Sequence, residues 1–118
     1  MKKYTQSPLW NAGLTKKMWE LYLKNGDMGM RRFASPLEAG DFQNLPPAYI
    51  EVEEFDCLHD EGVRFREKLR LAGVPARLED VKGTFHGFDV RKDTMISRRM
   101  RRIRCEALYQ AFWKSDTI

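Results

Sequence analysis

The stretch that decides the fold is Glu54–Gly62 (EFDCLHDEG), together with Gly83–Phe88 (GTFHGF). Each follows a run that predicts a β-strand, so each places a chemically active side chain just beyond a strand end. The two side chains are Asp56 and His86. A carboxylate can accept the Nδ1–H of an imidazole and fix its tautomer, which leaves the other ring nitrogen for proton transfer. The sequence therefore predicts an acid–base pair at one edge of a sheet.

A strand–helix–strand unit connects these two stretches. Residues 48–53 follow a double proline and predict a strand, and residues 76–81 predict a second one. Between them, apolar residues at helical spacing predict a helix from about Leu58 to Ala72, and Gly73 ends it. The apolar positions are Leu58, Phe65, Leu69 and Ala72. Short connections of this kind imply parallel strands and a right-handed crossover.

The flanking segments predict two more helices and a long loop. Thr15 is a candidate cap for a helix over residues 16–24, with Met18, Leu21 and Tyr22 on one face. Glycines and prolines predict a loop over residues 26–47. Residues 95–113 predict a long helix. Its expected buried stripe comprises Ile96, Met100, Ile103, Ala107 and Ala111.

The predicted fold class is α/β, with two parallel strands, a crossover helix and a long C-terminal helix. Residues 1–118 read as one partial domain, in which a helix and loop (1–47) lead into the strand–helix–strand–helix part (48–118) that carries Asp56 and His86. Parallel sheets normally have several strands and are covered on both faces. We therefore expect this incomplete sheet to be the end of a larger α/β sheet.

Composition is typical of a globular protein. Of 118 residues, 42% are hydrophobic and 32% are charged, which excludes a disordered chain. Cys57 and Cys105 lie far apart, so we expect reduced thiols and a cytoplasmic location. No signal peptide is predicted, and no window approaches the length of a transmembrane helix.

Several motifs in the same order resemble the C-terminal part of the hormone-sensitive-lipase-like α/β-hydrolases, the group of α/β hydrolase fold-3 that includes bacterial carboxylesterases and acetyl esterases. The similarity spans roughly residues 16–113. The motifs are Ala34–Leu37 (ASPL), Leu45–Ile50 (LPPAYI), Glu54–Gly62 (EFDCLHDEG), Leu69–Pro75 (LRLAGVP) and His86–Phe88 (HGF). Each is weak alone, and their order and spacing carry the resemblance.

The resemblance implies a carboxylic ester hydrolase in which Asp56 is the acid and His86 the base of a Ser–His–Asp triad. It implies no cofactor and no metal. The nucleophile is missing, since no serine of the chain lies in a G-x-S-x-G elbow and no H-G-G-G oxyanion loop is present. The serines are Ser7, Ser35, Ser97 and Ser115. We therefore expect the chain alone to be inactive, with a short-chain ester as substrate only in the complete enzyme.

Other interpretations of individual residues are weaker. Cys57 stands where the family has proline, but acidic neighbours disfavour a thiolate nucleophile. Ligand-type spacing is lacking for a metal site of His59, Asp60 and His86. Aromatic residues in the first segment could line an acyl pocket, although core or surface positions are the favoured interpretation. They are Trp10, Trp19 and Tyr22.

Two functions of other classes remain open. A non-catalytic remnant could act as an interaction module, because an exposed sheet edge and bare apolar faces favour self-association or pairing with a missing N-terminal portion. A symmetric dimer across residues 76–81 is one form of this. Five arginines within residues 98–104 could bind nucleic acid, but they occupy the solvated faces of one predicted helix, which is the favoured interpretation. No membrane partner is expected.

Overall fold

The computed structural model describes residues 4–113. The chain divides into two compact units, residues 1–86 and 87–118. In the first unit the elements are α1 (Ala12–Tyr22), α2 (Arg31–Ala34), a 3₁₀ turn (Pro36–Glu38), β1 (Ala48–Glu53), α3 (His59–Leu71) and β2 (Ala76–Val81). The second contains a 3₁₀ turn (Phe88–Val90) and α4 (Met95–Trp113).

The two strands pair in parallel, as predicted. Ala48 lies opposite Ala76 and Glu53 lies opposite Val81, so the strands start and end level with each other. Consequently, the loops that follow the two strands emerge next to each other, at the carboxyl ends of the strands. α3 forms the crossover, and both strand ranges agree with those expected from the sequence.

α3 packs closely on β1 because its first turn contains a glycine. A Cβ atom on Gly62 would lie 2.4 Å from Cγ1 of Val52, far inside van der Waals contact. Below this point, a small core forms around Leu69, which is 2% exposed, with Phe42 and Val74. α3 ends at Leu71 with Ala72 as its C-cap, immediately before the left-handed Gly73 that was predicted to stop it.

The first helix differs from its prediction. It begins at Ala12 instead of residue 16, and Asn11 caps it by accepting hydrogen bonds from the backbone N–H groups of Gly13 and Leu14. Thr15 is therefore a buried residue of the first turn and not its cap. On the predicted apolar face, Leu21 and Tyr22 are largely exposed. Amphipathic spacing marked a face but not the surface that would cover it.

The segment predicted as a loop contains two short elements. α2 and the 3₁₀ turn at Pro36–Glu38 occupy part of residues 26–47. An ion pair joins them, because Arg31 Nε lies 2.9 Å from Glu38 Oε2. The glycine and proline pattern correctly excluded a long helix but could not show these single turns.

In the second unit, α4 has the bounds predicted from the sequence. Met100 is buried and three other residues of the expected stripe are partly buried, whereas Ala111 is exposed. Four arginines of the 98–104 run are exposed, and Arg104 forms an ion pair with Asp89 at the preceding turn. Across the described residues, no helix is long and apolar enough to cross a membrane.

Candidate active site

The loops that follow β1 and β2 are bonded to each other. The backbone N–H of Phe55 donates to the carbonyl of Thr84 at 2.9 Å. The backbone N–H of Gly83 donates to the Glu54 carboxylate at 2.8 Å. In addition, the Thr84 hydroxyl donates to the carbonyl of Val81. These bonds extend the sheet pairing past the strand ends and fix both loops.

Asp56 and His86 meet between these loops. His86 Nδ1 lies 2.7 Å from Asp56 Oδ2, and the backbone N–H of Leu58 donates to the other carboxylate oxygen at 2.9 Å. The Asp56 side chain is only 5% exposed, whereas that of His86 is 42% exposed. A buried carboxylate with a hydrogen bond at each oxygen can orient a more accessible imidazole and stabilise its charged form.

Glu53, the last residue of β1, adds a second carboxyl group that sequence reasoning missed. One ligand atom each of Glu53, Asp56 and His86 lies within 4.8 Å of the others. Burial and the nearby Asp56 charge raise the pKa of Glu53 to about 7. The acidic run Glu51–Glu54 was the available signal, but an isolated strand pattern does not show which of its carboxyl groups is half-buried.

Trp10 lies beside the imidazole. The ring centroids of Trp10 and His86 are 5.9 Å apart at an interplanar angle of 35°. Trp10 Nε1 donates to the hydroxyl of Thr15 at 2.9 Å, and that hydroxyl lies 3.5 Å from Cys57 Sγ. The sequence favoured a core or surface position for Trp10 over a place in an acyl pocket, because nothing local connects it with a histidine 76 positions later.

An open cleft of about 500 Å³ lies along β1. Of the described strand residues, those that line it all belong to β1, and residues of α3 line it as well. Trp19 lines the opposite wall, as do the residues of the Ala34–Leu37 motif. Asp56 and His86 line one end, which makes the pair accessible from the cleft.

Other candidate residues have different roles. Burial raises the pKa of the Cys57 thiol, and the Asp56 charge adds to this effect, so Cys57 is a poor nucleophile. His59 lies 3.1 Å from Asp60 and 3.5 Å from Asp80. Within residues 4–113, the ligand atoms of Glu53, Asp56 and His86 are close enough together to hold a cation. The short hydrogen bond between Asp56 and His86 instead fits an acid–base pair.

A parallel strand–helix–strand unit with an aspartate and a histidine paired beyond its strand ends defines the α/β-hydrolase class. A family model described as "alpha/beta hydrolase fold" matches residues 1–90, more than half of the chain. The chain therefore belongs to the α/β-hydrolase fold family, in its hormone-sensitive-lipase-like group.

The similar proteins include several esterases. The chain is 36% identical over 66 residues to "Esterase LipI" of Mycobacterium tuberculosis (strain ATCC 25618 / H37Rv), which covers 53% of this chain and 21% of LipI. Among solved structures, the esterase LipW from Mycobacterium marinum superposes with a TM-score of 0.86 at 26% identity, covering 93% of this chain and 35% of LipW. A bacterial heroin esterase has a TM-score of 0.78 at 32% identity, covering 85% and 33%.

The chain thus spans about a fifth of the length of its first curated relatives and about a third of the solved structures. The family and fold apply to the chain itself. The esterase activity in these names is that of the longer relatives.

Proposed function

We propose that this chain supplies the acid and base of a carboxylic ester hydrolase, with Asp56 as the orienting acid and His86 as the general base. The observation that carries the proposal is the 2.7 Å hydrogen bond between Asp56 Oδ2 and His86 Nδ1. It joins two residues at adjacent strand ends, in the order acid then histidine that α/β-hydrolases use.

The chemistry follows from this geometry. With Nδ1 engaged by Asp56, Nε2 is the nitrogen that accepts the proton of a serine hydroxyl as the serine attacks the ester carbonyl. The imidazolium then gives this proton to the leaving alcohol. A water molecule repeats the cycle to release the acid. Asp56 keeps its hydrogen bond to Nδ1 and stabilises the imidazolium.

The nucleophile and the oxyanion donors must come from another part of the fold. Acyl transfer needs both, and no serine of this chain has the flanking glycines of a nucleophile elbow. The cleft along β1 is the place where a further strand would pair, because β1 has a second edge and the Asp56–His86 pair opens into this cleft. We propose that the nucleophile-bearing strand adds at this edge.

A chimera tests the proposal. Residues 1–118 replace the structurally equivalent third of the esterase LipW, and the resulting protein is called the LipW chimera. We expect it to hydrolyse short p-nitrophenyl esters, whereas the isolated chain releases no p-nitrophenol above the buffer rate. Hydrolysis by the isolated chain that His86→Ala abolishes would contradict the requirement for an external nucleophile. A folded but inactive LipW chimera would contradict the proposed function.

Self-association is a second candidate, favoured by exposed apolar side chains in the first unit. Leu21, Tyr22 and Phe33 are each more than 60% exposed. Surfaces of this kind and unpaired strand edges promote association. In size-exclusion chromatography with light scattering, we expect the isolated chain to have a molar mass above the 13.9 kDa of its monomer. A concentration-independent monomer would count against this candidate and leave the acid–base proposal unaffected.

A further inference from the structure

The segment from Ser7 to Thr15, which runs into the first turn of α1, is attached to both sequence neighbours of Asp56. The Ser7 hydroxyl donates to the carbonyl of Phe55 at 2.9 Å, immediately before Asp56. The Thr15 hydroxyl lies 3.5 Å from Cys57 Sγ, immediately after it. A segment bonded at both neighbours of the carboxylate is therefore held in register with it.

Trp10 lies between these two attachment points in sequence. Its indole N–H donates to Thr15, which is 1% exposed and whose hydroxyl in turn donates to the carbonyl of Asn11. This hydrogen bond fixes the orientation of the indole ring. Because the indole and imidazole rings are 5.9 Å apart, the indole forms a wall beside His86.

The indole of Trp10 gives the His86 ring a second contact besides Asp56. The His86 side chain is 42% exposed, and the Asp56 carboxylate anchors it by a hydrogen bond. A ring held at a single edge can rotate away from its partner, and a second contact restricts that rotation. Catalytic groups require support of this kind to within a fraction of an ångström.

We propose that Trp10 is a positioning residue, held by Thr15, which keeps the His86 imidazole aligned with Asp56. The catalytic consequence rests on the proposed function, but the alignment itself can be measured in the isolated chain. Trp10 does not exchange a proton with substrate in this scheme, and it acts only through His86.

The test in the isolated chain is the exchange rate of the His86 Nδ1 proton with water, measured by NMR after labelling the histidines with ¹⁵N. The chain has only two histidines, and His59→Asn assigns the signals. Trp10→Ala should raise the exchange rate by about tenfold or more, because the ring opens more often. The matched control is Trp113→Ala, which removes an exposed tryptophan stacked on Tyr109 in α4 and should leave the rate unchanged.

Variants of Thr15 distinguish the effect of its hydroxyl group from the effect of its packing. They also test the proposal if Trp10→Ala does not fold. Thr15→Val removes the acceptor for the indole N–H and should raise the exchange rate, whereas Thr15→Ser keeps the hydroxyl and should preserve it. Wild-type exchange in a folded Thr15→Val or Trp10→Ala chain would overturn the proposal.

Kinetics of the LipW chimera give the second readout. Misalignment of a catalytic group lowers the rate of the chemical step, so Trp10→Ala should reduce kcat by about 10- to 100-fold with little change in KM. A raised KM with unchanged kcat would instead make Trp10 a substrate-binding residue and overturn its positioning role. If the LipW chimera is inactive, the proposed function fails, and the proton-exchange measurement alone decides the role of Trp10.

Discussion

Replacing His86 with alanine in the LipW chimera is expected to lower kcat for a short p-nitrophenyl ester by about 10⁴-fold or more. The serine then has no base, since Nε2 of His86 is the only proposed acceptor for its proton. Asp56→Asn should lower kcat by about 10⁴-fold. Nδ1 of His86 lies 2.7 Å from the Asp56 carboxylate, and an amide at this position favours the wrong tautomer of the imidazole. The measurement is the initial rate of p-nitrophenol release at saturating ester.

The control for this prediction is the other histidine. His59 lines the same cleft but pairs with Asp60 and Asp80. His59→Ala should therefore change kcat by less than about threefold, since it makes no contact with the reacting groups. The double variant of Asp56 and His86 should be scarcely worse than His86→Ala alone, because the two residues act as a unit. Additive losses, or an equal loss with His59→Ala, would remove the pair from its proposed role.

The sequence specified the strand–helix–strand unit well because its signals are local. The double proline before Ala48, the acidic first turn of α3 and the left-handed Gly73 each act within a few residues of the boundary they define. The prediction of where α1 starts was wrong for a related reason. Asn11 and Thr15 are both good caps by residue type, and tertiary contacts with Trp10 and Cys57 decided which one was buried.

The site could be predicted only in part. Parallel pairing brings adjacent strand ends together, so the proximity of Asp56 and His86 follows from the topology. The indole wall from Trp10 does not, because it depends on how a segment far away in sequence folds over the loop after β1. The half-burial of Glu53 likewise results from packing, which the alternation along the strand does not reveal.

Glu53→Gln is expected to stabilise the isolated chain at pH 8 but not at pH 5. The pKa of Glu53 is raised from 4.5 to about 7 in the fold, chiefly by burial and then by the Asp56 charge. The folded state therefore holds a proton that the unfolded state loses, and the free energy of unfolding falls as the pH rises from about 4.5 to about 7. Above that range, the ionised carboxylate imposes its full cost, whereas glutamine resembles the neutral acid at every pH.

The size of this effect can be bounded. The difference between 4.5 and about 7 corresponds to about 3.4 kcal/mol at most. Because the side chain is only half-buried, solvent screening reduces the expected gain at pH 8 to about 1–2 kcal/mol. Urea denaturation at both pH values measures it, and Glu20→Gln, at an exposed position of α1, should change stability by less than about 0.5 kcal/mol at either pH. Equal effects of Glu53→Gln at pH 5 and pH 8 would show that its carboxyl group does not titrate in this interval. Glu53 would then be an ordinary surface carboxylate beside the pair, with no unfavourable charge at the pH where an esterase works.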